Sequence, residues 1–248
     1  MTPASVFSMA VQLAEKLAFD LVRPASEALQ RSKALPLGIP SIDEALPDGG
    51  LPRGAVVELT SMRGLGRATS FALSACASAQ ALARLRSGDD RTVGAWCAYL
   101  DPDATLYAPG VIRAGVDLRR LLVVRPDPSA LGRVAVRVAA SRAFSLLVVD
   151  TASLPGVDAH EKPSLDRWAN VVRRLALSIE RSDTTVLLLT DASAHRSVVL
   201  PTAMRIELNQ SSVGSARNEV LTLRVAKDRQ GRVGGTVPVS LSTERRAS

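Results

Sequence analysis

The chain has 248 residues, 46% of them apolar, and a formal net charge of +7. This is enough for one large domain with its own core. No apolar run approaches the roughly 18 residues of a membrane span, which excludes a helical membrane protein and a membrane partner. Cys76 and Cys97 are isolated and lack metal-ligand spacing, so reduced core thiols in a cytoplasmic protein are expected, with no metal site. The basic excess permits an acidic partner, either nucleic acid or an acidic protein face, without selecting one.

Residues 5–23 have the spacing of an amphipathic helix, with Val6, Ala10, Leu13, Leu17 and Leu21 on one face and Phe7 and Met9 alongside. Pro24 ends it. Glu15 and Lys16 interrupt its apolar stretch, and no basic leader precedes it, so no signal peptide is expected. Residues 24–36 read as a polar connector. From 37 onward, short apolar strands alternate with helices. Strands are expected at Ala55–Leu59, Thr92–Leu100, Leu121–Arg125, Leu146–Asp150 and Thr184–Thr190. Helices are expected at Ala68–Arg86, Leu106–Ala114, Pro128–Ser141 and Ser164–Arg181, the last with Ser164 as N-cap. Trp96 is expected in the core on its strand, and Trp168 in the core or an interface.

Such alternation predicts a mostly parallel sheet covered by helices on both faces. After residue 200 the pattern is β at Met204–Leu208, Glu219–Lys227 and Gly235–Leu241, expected as antiparallel strands extending one edge. The chain therefore divides into an N-terminal helix and connector (1–36), an α/β core (37–241) and a basic tail (242–248).

Ligands of parallel α/β sheets bind at the carboxyl ends of strands. After the first core strand lies Ser61-Met62-Arg63-Gly64-Leu65-Gly66-Arg67-Ala68-Thr69, with the position and length of a phosphate loop, G-x-x-x-x-G-K-[ST]. Gly66 matches the second glycine, but Ser61 replaces the first, Arg67 the lysine and Ala68 the hydroxyl residue. A branched guanidinium does not reproduce a compact ammonium between two phosphates. Ala68 has no oxygen for magnesium, and Thr69 lies about 100° further round the helix. The favoured reading is a vestigial connector, and the competing one a weak or remodelled nucleotide site. Neither ATP nor magnesium is expected as a cofactor.

The flanking segments resemble bacterial RecA. Gly38 to Leu46, Gly49 to Gly54 and Val57 to Leu59 resemble the lead into its phosphate loop, and Tyr99-Leu-Asp-Pro-Asp103 the strand end carrying its catalytic glutamate. Gly115 to Leu118 and Leu121 to Pro126 continue the likeness. Leu146 to Asp150 is similar to its Walker B strand, and Arg224 to Arg229 to its late strand of two lysines. The resemblance implies a RecA-like fold over residues 37–241. It also implies that Asp103 and Asp150 are vestiges of catalytic residues, and that Lys227 and Arg229 stand where RecA reaches a neighbouring protomer's ATP. Asp103 is one methylene shorter than glutamate. The segment between Asp191 and Pro201 is short where RecA has a DNA-binding loop, and the RecA C-terminal domain has no counterpart in this sequence.

Within the RecA/SulA-like superfamily, the length, the N-terminal helix and the retained Gly38–Gly54 segment look more like the ImuA family than SulA. That resemblance implies a non-catalytic adaptor of translesion DNA synthesis, with RecA and the inactive Y-family polymerase ImuB as partners, which limits RecA filament growth. The alternatives are a weak or DNA-stimulated ATPase using Arg67, Asp103 and Asp150, and a SulA-like division inhibitor acting on FtsZ. Phe7, Leu13, Leu17 and Leu21 are candidate partner-binding residues, packing on a partner or folding back onto the core. Lys227, Arg229, Arg245 and Arg246 belong to a basic cluster that also includes Arg217, Arg224 and Arg232; it reads equally as a binding face or as a solvated one. Direct DNA contact and a homo-oligomer stay open. His160 and His195 read as surface histidines.

Overall fold

A computed structural model of the chain describes residues 34–62, 67–86, 95–151, 165, 167–194, 199–212 and 219–239. The chain divides into two compact units, Met1–Lys33 and Ala34–Ser248, and the described residues all belong to the second. The N-terminal helix with Phe7, Leu13, Leu17 and Leu21 lies outside them. So do Gly66, His160, Ser164, His195, Arg217, Arg245 and Arg246.

In chain order the elements are β1 (Ala34–Leu35), α1 (Pro40–Asp43), β2 (Leu51–Pro52), β3 (Val56–Ser61), α2 (Arg67–Arg86), β4 (Cys97–Leu100) and α3 (Ala108–Arg113). Then follow β5 (Leu121–Val124), α4 (Leu131–Ala140), β6 (Leu146–Asp150), α5 (Trp168–Ser178), β7 (Thr185–Asp191), β8 (Met204–Ser212), β9 (Glu219–Asp228) and β10 (Val237–Val239). Eight of these strands form one sheet in the order β10-β9-β8-β3-β7-β6-β4-β5. Pairing is parallel from β8 through β5 and antiparallel at β8–β9 and β9–β10. The expected α/β fold is therefore present, a mostly parallel sheet with antiparallel C-terminal strands.

Apolar residues alternate between the two faces because successive strand side chains point oppositely. Val57, Leu59, Tyr99, Val148 and Leu187 pack with α2 on one face. Val56, Leu100, Leu147, Val149 and Leu188 pack with α4 and α5 on the other. The face of α2 turned to the sheet carries small residues, Ala72, Ala75, Cys76 and Ala79, all buried around Phe71, which lets the helix approach closely. The buried Gln80 clamps α2 to the start of β5. Its amide nitrogen donates to the carbonyls of Asp117 (3.2 Å) and Arg120 (3.3 Å), and its amide oxygen accepts from Asp117 N (2.8 Å).

Some sequence expectations need correction. Trp96 is 46% exposed and precedes the strand, which begins at Cys97. Its carbonyl accepts from Ser145 N at 2.9 Å, pinning the backbone at the rim of the sheet while the indole faces solvent. Trp168 is buried against the α4–α5 side. The helix expected from Ser164 begins at Trp168, and its N-cap residue, Arg167, makes no side-chain cap. Residues 128–130 form a 3-10 turn ahead of α4. Ala34 and Leu35, placed in the connector by sequence, are buried and pair antiparallel with β2. Cys76 and Cys97 are buried free thiols, as expected. The Cys97 thiol, first, and then burial push the Cys76 thiol well above its usual range. Among the described residues, no helix is long and apolar enough to cross a membrane.

Candidate functional site

At the carboxyl end of the parallel strands, β3 runs out at Ser61 and α2 begins at Arg67. Ser61 is buried, and its carbonyl accepts from Ala192 N at 2.9 Å, which ties it to the end of β7. Arg67 is exposed. Ala68 is buried in the apolar cluster that surrounds α2, so its side chain is core. Thr69 is half-buried and meets the Tyr99 hydroxyl from above the sheet.

Three neighbouring strands each run out into a buried carboxylate: Asp101 just after β4, Asp150 at the end of β6 and Asp191 at the end of β7. Adjacent strands are about 4.8 Å apart, so the three share one pole. Asp191 stands opposite Ser61 in the β3–β7 register. Its Oδ1 accepts from Ser193 N and Ser193 Oγ, both at 2.8 Å. Asp101 accepts from Thr105 N (2.9 Å), Thr105 Oγ1 (3.0 Å) and Leu106 N (3.0 Å), with Arg125 Nε 3.8 Å away. Asp101 thereby folds the turn that carries the exposed Asp103, in which Ala104 adopts a φ of 57°. Burial, and next the charge of Asp150, push the Tyr99 phenol well above its usual range; the Thr69 hydroxyl acts in the opposite direction. That contact falls short of a well-formed hydrogen bond, and the Tyr99 hydroxyl has no partner of good geometry among the described residues.

Chemically, this pole gathers three buried carboxylates beside the half-buried Thr69 hydroxyl, with the exposed Arg67 on its rim. Among the described residues, no group of three His, Cys, Asp or Glu could hold a metal ion.

Lys227 and Arg229 lie at the opposite, amino end of the sheet. Asp228 pairs with Met204, the first residue of β8, and Arg229 N donates to the Ala203 carbonyl at 2.8 Å. Lys227 Nζ donates to the Leu200 carbonyl at 3.2 Å, while Arg229 is exposed. The two residues border a cleft of about 850 Å³ between the amino ends of β3 and β8 and the outer side of α5. Gly54 to Ser61 spans about 23 Å at roughly 3.3 Å per residue, so the two poles cannot meet within one chain.

Among the sequence candidates, Ser61, Thr69 and Asp150 gather at one pole, Arg67 and Asp103 stand exposed on its rim, and Lys227 and Arg229 gather at the other. Sequence reasoning missed Asp191, Asp101 and Tyr99 as components of the first pole. Their signal is present: Leu146 to Asp150, Val186 to Asp191 and Cys97 to Asp101 are each an apolar run ending in aspartate. It also missed the cleft, which joins segments more than a hundred residues apart.

Sheet order and crossover helices define a RecA-like α/β domain. Residues 20–199 match the RecA N-terminal domain family, and the chain belongs to that family. It is 30% identical to Protein RecA of Mesorhizobium japonicum over 173 residues, covering 66% of this chain and 44% of that protein. It is 28% identical to Protein RecA of Rhodospirillum centenum over 229 residues, covering 88% and 61%. With Protein RecA of Mycobacterium avium the identity is 27% over 234 residues, covering 90% and 63%. The chain thus spans less than two thirds of the length of each of these relatives.

Proposed function

We propose that this chain is a non-catalytic RecA-like adaptor of translesion DNA synthesis. It engages RecA and the inactive Y-family polymerase ImuB, and it limits growth of the RecA filament. The observation that carries this reading is the separation of the two poles. Arg67 is exposed and Ala68 is spent on the core, so neither supplies the compact ammonium or the hydroxyl of a phosphate loop. Arg229, by contrast, is exposed at the far end beside Lys227, where it serves a second molecule. Purified RecA and ImuB, each passed over the immobilised chain, test the partners directly; retention of neither contradicts the adaptor.

One feature favours a second reading, a weak ATPase. The Thr69 hydroxyl sits beside Tyr99 at the pole of Asp150 and offers an oxygen near the strand end. Calorimetric titration with Mg-ATP separates the two readings. The adaptor gives no binding heat up to millimolar nucleotide. Submillimolar binding that disappears in Arg67→Ala favours the ATPase instead.

A further inference from the structure

We infer that the cleft at the amino pole is a docking groove for an acidic protein segment that carries a large apolar side chain. This rests on the reading that the amino pole faces another molecule, and it specifies the chemistry of that molecule.

One wall of the groove is the outer side of α5. There Leu177, 68% exposed, stands one helical turn after Arg173, and Glu180 and Arg181 follow the end of the helix. The facing wall is the end of β9 with Lys227 and Arg229, and Pro201, Thr202 and Ala203 form part of the floor. Four cations border the groove against two carboxylates, Glu180 and Asp228. Asp228 is already engaged, since Arg232 Nε lies 2.8 Å from its Oδ2. Among the described residues neither Arg181 nor Arg229 has an ion-pair partner, and Arg173 bonds only the Asn170 side-chain oxygen at 2.9 Å. The groove therefore presents net positive charge on both walls, with one large exposed apolar side chain on the α5 wall.

Charge complementarity selects an acidic occupant. The lining distinguishes a peptide from a nucleic acid. No aromatic, Asn or Gln side chain borders the groove, so a base would meet no ring or amide there beyond the arginines, and the exposed Leu177 is left without a role in binding a nucleic acid. An exposed leucine flanked by cations instead suits an amphipathic segment whose apolar residue covers Leu177 while its carboxylates meet the arginines. A second copy of this chain is disfavoured, because each copy carries a net charge of +7.

The test is selection of a random 12-residue peptide library on the full-length chain. Leu177 is exposed, so Leu177→Asp leaves the fold intact. The expected result is enrichment of peptides with several carboxylates around one large apolar residue. Their affinity should fall at least tenfold in Arg173→Glu, in Arg229→Glu and in Leu177→Asp. Three results overturn the inference: enriched peptides lack net negative charge, their binding survives all three substitutions, or labelled poly-dT binds in a cleft-dependent way while acidic peptides do not. Sedimentation that shows self-association abolished by Leu177→Asp also overturns it, in favour of a copy–copy interface. RecA retention by the same variants keeps the outcomes distinct. Peptide binding lost with RecA retention unchanged supports the groove and places RecA elsewhere, whereas acidic-peptide binding with retention of neither RecA nor ImuB supports the groove and contradicts the adaptor.

Discussion

Tyr99 shows how tightly the carboxyl pole is built. Its phenol is buried close to a carboxylate, so the neutral form is strongly preferred in the folded chain. A raised folded-state pKa means that the corresponding stability is fully present below the unfolded phenol value, about 10. It is lost as pH rises above that value toward the folded one. Thermal melts between pH 9 and 11 should show a steep alkaline loss of stability that is shallower in Tyr99→Phe. Parallel curves for the two proteins would contradict this placement of the hydroxyl. The two tryptophans give a second contrast at the same scale. Trp168→Ala should cost about 3–5 kcal/mol, as expected for a large core truncation. Trp96→Ala should cost under about 1 kcal/mol, because half the indole is already in solvent. Chemical denaturation of both variants measures the difference. Sequence alone ranked Trp96 with the core because it abuts an apolar run, and an apolar run does not reveal where helical cover stops.

At the scale of elements, most strands were legible because each is a compact apolar run, such as Leu146 to Val149 or Val186 to Leu189, bounded by polar residues. The two-residue strands β1 and β2 were not. They are too short for any periodicity, and their pairing of Leu35 with Leu51 is decided by tertiary contacts. The carboxyl-pole residues of the phosphate-loop pattern were legible one by one. Their separation from Lys227 and Arg229 depends on sheet order, which a linear reading gives only by resemblance. Gly54 fixes the turn into β3 at the cleft end. It holds a φ of 65°, and an added Cβ would lie 2.7 Å from the Ser182 carbonyl oxygen. Left-handed backbone costs a non-glycine residue about 1–2 kcal/mol, and the contact adds to that. Gly54→Ala should therefore lower stability by at least this amount in urea denaturation. Gly49→Ala meets no atom within 4 Å and carries only the backbone cost. Equal losses in the two would show that the Ser182 contact is unimportant.

For the whole molecule, the two poles of one sheet have diverged in character. One end buries carboxylates where the strands run out, with Arg67 and Ala68 at the lysine and hydroxyl positions of the phosphate-loop pattern. The other end opens a cationic cleft about 23 Å away, by strand rise. On the adaptor reading, the cationic end is where such a molecule accepts a partner. The most direct measurement is RecA filament growth on single-stranded DNA, followed by light scattering, with substoichiometric amounts of this chain. The wild-type chain should slow or cap growth, and the double substitution Lys227→Glu, Arg229→Glu should restore it. Growth unaffected by the wild-type chain, or capped equally by the doubly substituted one, would contradict the account.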